Sequence, residues 1–141
     1  MKRRSLLIAY ADRKMASLCD DYFSNAGYRV NTVSDGLTCL ARLRHEVPDL
    51  LLLDQELPWG GGDGVLACLR EEADFGRVLV VVVTDVIPIH SLSRLTVPPV
   101  VRYFGKHCPL ATLRYCIDSA LASSFRRRPS AARRTSLVAA R

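Results

Sequence analysis

Along the chain, short unbroken apolar runs alternate with longer stretches in which apolar residues return every three or four positions. Five runs read as strands: Ser5–Tyr10, Tyr28–Val33, Leu50–Asp54, Val78–Thr84 and Val100–Phe104. Leu50-Leu51-Leu52-Leu53 and Val78-Leu79-Val80-Val81-Val82-Val83 have no polar alternation, which is the pattern of strands covered on both faces. After the first run, Met15, Leu18, Cys19, Tyr22, Phe23 and Ala26 recur at helical spacing, and Gly27 is placed to end that helix. Leu37–Glu46 and Asp63–Glu72 read as the second and third helices, and Pro109–Ser124 as the fifth, with Pro109 suited to a first helical position. A short, weakly patterned fourth helix is expected over Pro88–Leu95. Pro98-Pro99 then imposes an extended entry into the last strand.

Strands alternating with helices predict an α/β fold: a doubly wound, five-stranded parallel sheet with helices on both faces. Ligands of such sheets bind beyond the carboxyl ends of the strands. After Ser124 the periodicity stops and Arg, Ala, Ser and Pro dominate. Residues 1–124 are therefore expected to form one domain and residues 125–141 a basic, largely disordered tail. A tail of 17 residues is too short for an output domain, so a stand-alone domain is expected.

At 141 residues and 49% hydrophobic, the chain can bury a core without disulfides or a structural metal. Its five cysteines are odd in number and contain no C-x-x-C pair, which fits a reducing, cytoplasmic setting. The start, Met1-Lys2-Arg3-Arg4 and then Ser5-Leu6-Leu7-Ile8-Ala9-Tyr10-Ala11, imitates a signal peptide, but its apolar run is at the short limit and a buried strand explains it better. Nothing approaches the ~20 apolar residues of a membrane span. The net charge of +6 is local: the last 17 residues carry six Arg and no acid, and the remainder is balanced at 14 basic and 14 acidic residues.

Three predicted strand ends carry polar residues that structure alone does not require: Asp54, Thr84 and Lys106. Converging in one crevice, they suit a phosphoryl group, with the carboxylate as nucleophile and the hydroxyl and ammonium as ligands for its oxygens. Pro48-Asp49-Leu50-Leu51-Leu52-Leu53-Asp54 with Leu57-Pro58 and Asp63-Gly64, then Val80-Val81-Val82-Val83-Thr84, then Tyr103-Phe104-Gly105-Lys106 resemble the receiver domain of two-component response regulators. Gly27-Tyr28-Arg29-Val30 and Asp35-Gly36 match as well. The spacings of 30 residues from Asp54 to Thr84 and 22 from Thr84 to Lys106 agree with that family.

The resemblance implies a flavodoxin-like sheet of order 2-1-3-4-5. It further implies phosphoryl transfer to Asp54 from a histidine kinase or phosphotransfer protein, assistance from Thr84 and Lys106, and output by contact with a downstream protein rather than by enzymatic turnover. Tyr103 would be the aromatic whose rotation reports the change; a half-buried edge aromatic is the other reading.

Four departures qualify this. Where the family holds Mg²⁺ with an acidic pair, this chain has Tyr10 and Ala11, leaving Asp12 one position later. Asp12 and Asp54 make a poor ligand set, so Mg²⁺ binding is expected to be weak or absent. Glu56 is either a replacement carboxylate, since residues two apart on an extended segment point the same way, or, the favoured reading, a solvated loop acid. Asp85 follows Thr84 where the family prefers a small residue, and two unit charges ~4 Å apart interact by roughly 4 kcal/mol at a surface-like dielectric. Lys106 precedes His107 rather than proline, so the following bond is expected to be trans, and Trp59-Gly60-Gly61-Gly62 lengthens the loop after Asp54. Impaired or phosphorylation-independent signalling is the expected consequence.

Weaker candidates are His45, His90 and His107, taken as surface or core residues, and Cys108, taken as a packed cysteine before a reactive one. The Arg-rich tail offers a competing function as a nucleic-acid accessory, with a solvated end as the default reading. A small phosphotransfer or hydrolytic enzyme is the third possibility, disfavoured because no second catalytic base is evident.

Overall fold

A computed structural model of the chain describes residues 3–72, 75, 77–85 and 98–127, the side chains of 125–127 excepted. Five strands, β1 (Ser5–Ala9), β2 (Arg29–Val33), β3 (Leu50–Asp54), β4 (Leu79–Thr84) and β5 (Val100–Gly105), form one parallel sheet in the order β2-β1-β3-β4-β5. Four helices are described: α1 (Arg13–Asn25), α2 (Gly36–His45), α3 (Gly61–Glu71) and α4 (Leu110–Arg127), the last being the expected fifth helix. The expected fourth helix at Pro88–Leu95, His90 and tail residues 128–141 lie outside the described residues.

The unbroken apolar runs are explained by two cores. Leu51, Leu53, Val80 and Val82 pack on the face covered by α2 and α3, with Cys39, Leu43, Val65 and Leu69. Their sequence neighbours Leu50, Leu52, Val81 and Val83 point the other way and meet α1 and α4 through Cys19, Phe23, Leu113 and Ile117. Successive side chains on a strand alternate faces, so a strand in mid-sheet needs apolar residues at every position. Complete burial of each such Leu or Val stabilises the fold by roughly 1.5–3 kcal/mol. Edge strand β2 is exposed at Asn31 and Thr32 and accordingly reads as polar there.

Several expected boundaries move. Tyr10 and Tyr28 fall just outside the strands, although both side chains are buried in the α1/α4 core. Gly27 does follow α1, at φ +100°, with Ala26 as the cap before it. Helix α3 starts at Gly61 rather than Asp63, because Gly60 in the left-handed region (φ +93°) turns the chain into it, so two of the loop's extra glycines are helical. Helix α4 continues to Arg127, beyond the expected limit at Ser124, so the break in apolar periodicity does not mark where the helix ends.

Candidate functional site

Register delivers the three strand ends to one edge. Asp54 pairs with Val83, Thr84 with Gly105, and the amide of Lys106 donates to the carbonyl of Thr84 at 3.1 Å. Asp54 and Thr84 are buried, only 1% and 3% exposed, and Lys106 reaches back over them. Its Nζ lies 2.9 Å from Asp54 Oδ1 and 2.9 Å from Glu56 Oε2. Asp54, Thr84 and Lys106 therefore meet above the carboxyl edge of the sheet, where the chain pattern places them.

Both oxygens of the Asp54 carboxylate are engaged. Oδ1 also accepts from the backbone N–H of Glu56 at 3.0 Å, and Oδ2 accepts from the backbone N–H of Ala11 at 3.0 Å. A buried carboxylate must be compensated in this way, by donors to its oxygens and by a counter-charge.

Glu56 corrects an expectation. Its side chain is 44% exposed but is not a solvated loop acid: Oε2 binds Lys106, and Oε1 accepts from the Thr84 hydroxyl at 3.2 Å. The loop after β3 turns back on itself, with Leu57 N–H donating to Asp54 O, and this brings Glu56 over the strand ends. Partial burial pushes the Glu56 carboxyl upward, but hydrogen bonds with Lys106, Asp54 and Thr84 outweigh it and hold the group at about 2. Burial likewise disfavours the Lys106 ammonium, and its bonds to Glu56 and Asp54 raise its pKa nonetheless.

Asp12 is engaged as a helix cap. It is the N-cap of α1, its Oδ1 accepting from Lys14 N at 2.8 Å and Met15 N at 3.4 Å. β1 ends at Ala9 and α1 begins at Arg13, so an acid at position 12 falls where unpaired helix N–H groups call for an acceptor. The anticipated trio of Asp12, Asp54 and Glu56 is not assembled, and no three His, Cys, Asp or Glu among the described residues are placed to hold a metal ion. Two features of the donor set disagree with Mg²⁺: a backbone N–H donor from Ala11 faces Asp54, and an ammonium bridges the two remaining carboxylates.

A crevice of about 200 Å³ beside Asp54 is lined by Tyr10, Asp12, Met15, Asp85, Lys106 and His107. Asp85 is exposed, with His107 Nε2 3.8 Å away, so its charge is screened by surrounding water. Tyr103 is half-buried against the α2/α3 core, and burial raises its phenol, with Asp63 adding to the effect. Among the described residues the only cis peptide bond is Pro98–Pro99, so the bond after Lys106 is trans as expected. His45 and His107 are exposed. Cys108 is packed beside the α1/α4 core, and burial raises its thiol pKa, against a reactive thiolate.

Comparison with known proteins decides the family. The model of the response regulator receiver domain matches residues 6–117. The chain belongs to the response regulator receiver family. Over 90 residues it is 38% identical to the transcriptional regulatory protein BaeR of Escherichia coli, and over 87 residues 28% identical to the DNA-binding response regulator MtrA of Mycobacterium tuberculosis. These alignments cover 64% and 62% of this chain but only 35% and 38% of the relatives, so the chain spans little more than a third of their length. A CheY-like receiver domain protein from Methanospirillum hungatei superposes with a TM-score of 0.80 at 20% identity, covering 90% of this chain and all of that one. The receiver of a LuxO repressor protein from Vibrio parahaemolyticus gives 0.80 at 19% identity over 87% of this chain and 93% of the other. At these identities the structural matches speak for the fold, a CheY-like receiver architecture. Receiver domains act in two-component signalling, meeting histidine kinases or phosphotransfer proteins and downstream effectors, and generally use Mg²⁺ at an acidic pocket. No helix among the described residues of this receiver is long and apolar enough to cross a membrane.

Proposed function

We propose that this receiver is impaired in phosphorylation at Asp54, binds Mg²⁺ weakly or not at all, and signals by protein–protein contact without turning over a substrate of its own. The observation that carries this reading is the backbone N–H of Ala11 donating to Asp54 Oδ2 at the place where the family's acidic pair would bring a cation. With Lys106 already on Oδ1, the nucleophile is held by donors that lower its reactivity, and no metal helps to neutralise an incoming group of roughly −1.5 to −2 charges. Upstream, a histidine kinase or phosphotransfer protein is the class of partner. Downstream, a protein partner would meet β5, α4 and the expected fourth helix. The transcriptional and DNA-binding roles in the relatives' names belong to longer proteins and are not carried over.

The test is acid-stable trapping of phosphoaspartate, or intact-mass measurement, after exposure to millimolar Mg²⁺ and a small phosphodonor. The wild-type chain should be modified only to a minor extent, whereas Ala11→Asp, which restores one acid beside Asp54, should be modified more and should gain thermal stability from Mg²⁺. Full modification of the wild-type chain that Asp54→Asn abolishes would overturn the proposal.

A further inference from the structure

The two side chains suited to holding a phosphoryl group's oxygens are not free to receive one. Thr84 Oγ1 donates to Glu56 Oε1 at 3.2 Å, and Lys106 Nζ lies 2.9 Å from Glu56 Oε2. One carboxylate thus presents two separate oxygens to a hydroxyl at the end of β4 and an ammonium just past the end of β5, directly over the buried carboxylate of Asp54 at the end of β3. A phosphoryl group carried on Asp54 would present its oxygens to the same hydroxyl and ammonium. We propose that Glu56 is a built-in surrogate for the phosphoryl group, occupying the ligands Thr84 and Lys106 and holding the ends of β4 and β5 in the positions that phosphate would otherwise impose.

Three observations support the assignment over a plain surface ion pair. Glu56 engages both partners at once, where a surface pair needs only one. Its side chain remains 44% exposed, so it enters from the solvent side, the direction from which a phosphoryl donor must approach. Its backbone N–H also donates to Asp54 Oδ1, which fixes the residue's starting point relative to the acceptor it covers. The arrangement agrees: two carboxylates, those of Asp54 and Glu56, already share a single ammonium, and a further anion must displace one of them.

The inference rests on the reading of the chain as an impaired receiver, and a titration separates the two. Beryllofluoride with millimolar Mg²⁺ is added to the full chain and followed by the Thr84 methyl, Lys106 Nζ and Tyr103 ring resonances. In Glu56→Ala the half-saturating concentration should fall about tenfold or more relative to wild type, because the hydroxyl and ammonium are released. The Tyr103 ring should also shift before any beryllofluoride is added. Glu56→Gln, which keeps the shape and the Thr84 hydrogen bond but not the charge, should lie between, and it preserves the comparison if the alanine variant folds poorly. Equal half-saturation in wild type and both variants would overturn the surrogate role while leaving the impaired-receiver reading standing. Tight saturation of the wild-type chain would instead remove that reading, and the surrogate with it.

Discussion

Strand β3 is bracketed by two aspartates that treat β1 in the same way. At its start, Asp49 Oδ2 accepts from the backbone N–H of Ser5 at 2.8 Å and from the Ser5 hydroxyl at 3.3 Å. At its end, Asp54 Oδ2 accepts from the backbone N–H of Ala11 at 3.0 Å. Each carboxylate therefore ties β3 to one end of β1. The difference lies in what the neighbouring strands bring. Among the described residues the charged partner of Asp49 is Arg4, 3.9 Å away and itself a third exposed, whereas Asp54 has Lys106 at 2.9 Å, with Glu56 and Thr84 closing the circle. A carboxylate bonded to backbone is a fastening; it becomes a site only when β4 and β5 add a hydroxyl and an ammonium above it.

The contrast can be broken most strongly at Lys106. Lys106→Met leaves Asp54 buried without its counter-charge and beside Glu56, and should lower the unfolding free energy by roughly 2–3 kcal/mol in a denaturant titration. A loss no larger than that of an exposed pair would mean that Lys106 is not a buried partner. At the other end, Asp49→Ala should cost about 1–2 kcal/mol by the same measurement, since it removes the acceptor for the Ser5 N–H but strands no buried charge. If the two losses came out equal, the distinction between fastening and site would fail. The smallest effect is acidic. The folded-state pKa of Glu56, held at about 2, lies below the ~4.3 of an unfolded chain, so its stabilising contribution is present above pH ~4.3 and is lost as pH falls from there toward 2. Glu56→Gln should flatten that part of the stability–pH curve, and because the side chain is half in solvent the change should be modest.

The sheet was legible because burial on two faces leaves an unmistakable mark: Leu50 to Leu53 and Val80 to Val83 have no polar position to confuse the pattern. The meeting of Asp54, Thr84 and Lys106 was legible for a related reason, since in a parallel sheet the ends of adjacent strands lie at one edge whatever the connecting helices do. The capping role of Asp12 and the partners of Glu56 were not read, because both depend on where a loop turns. Asp12 sits one residue before a helix, and the cap preference of aspartate was the available signal. Glu56 carries only a weak local signal, its spacing of two from Asp54, because its partners Thr84 and Lys106 are 28 and 50 positions further along the chain. The end of α4 was missed because a break in apolar periodicity need not end a helix.

The loop that carries Glu56 is also fastened on its far side. Gly36 N–H donates to Pro58 O at 2.7 Å, and any β-carbon at Gly36 would collide with the carbonyl oxygen of Trp59. Asp35-Gly36 and Leu57-Pro58 are thus two halves of one joint, with the left-handed backbone of Trp59 (φ 62°) locked against the start of α2. The indole itself stands 73% exposed. As an optical reporter, Trp59 is therefore mounted on the joint between the loop after β3 and the start of α2, and its emission will follow that joint sooner than events at the carboxylate five residues upstream.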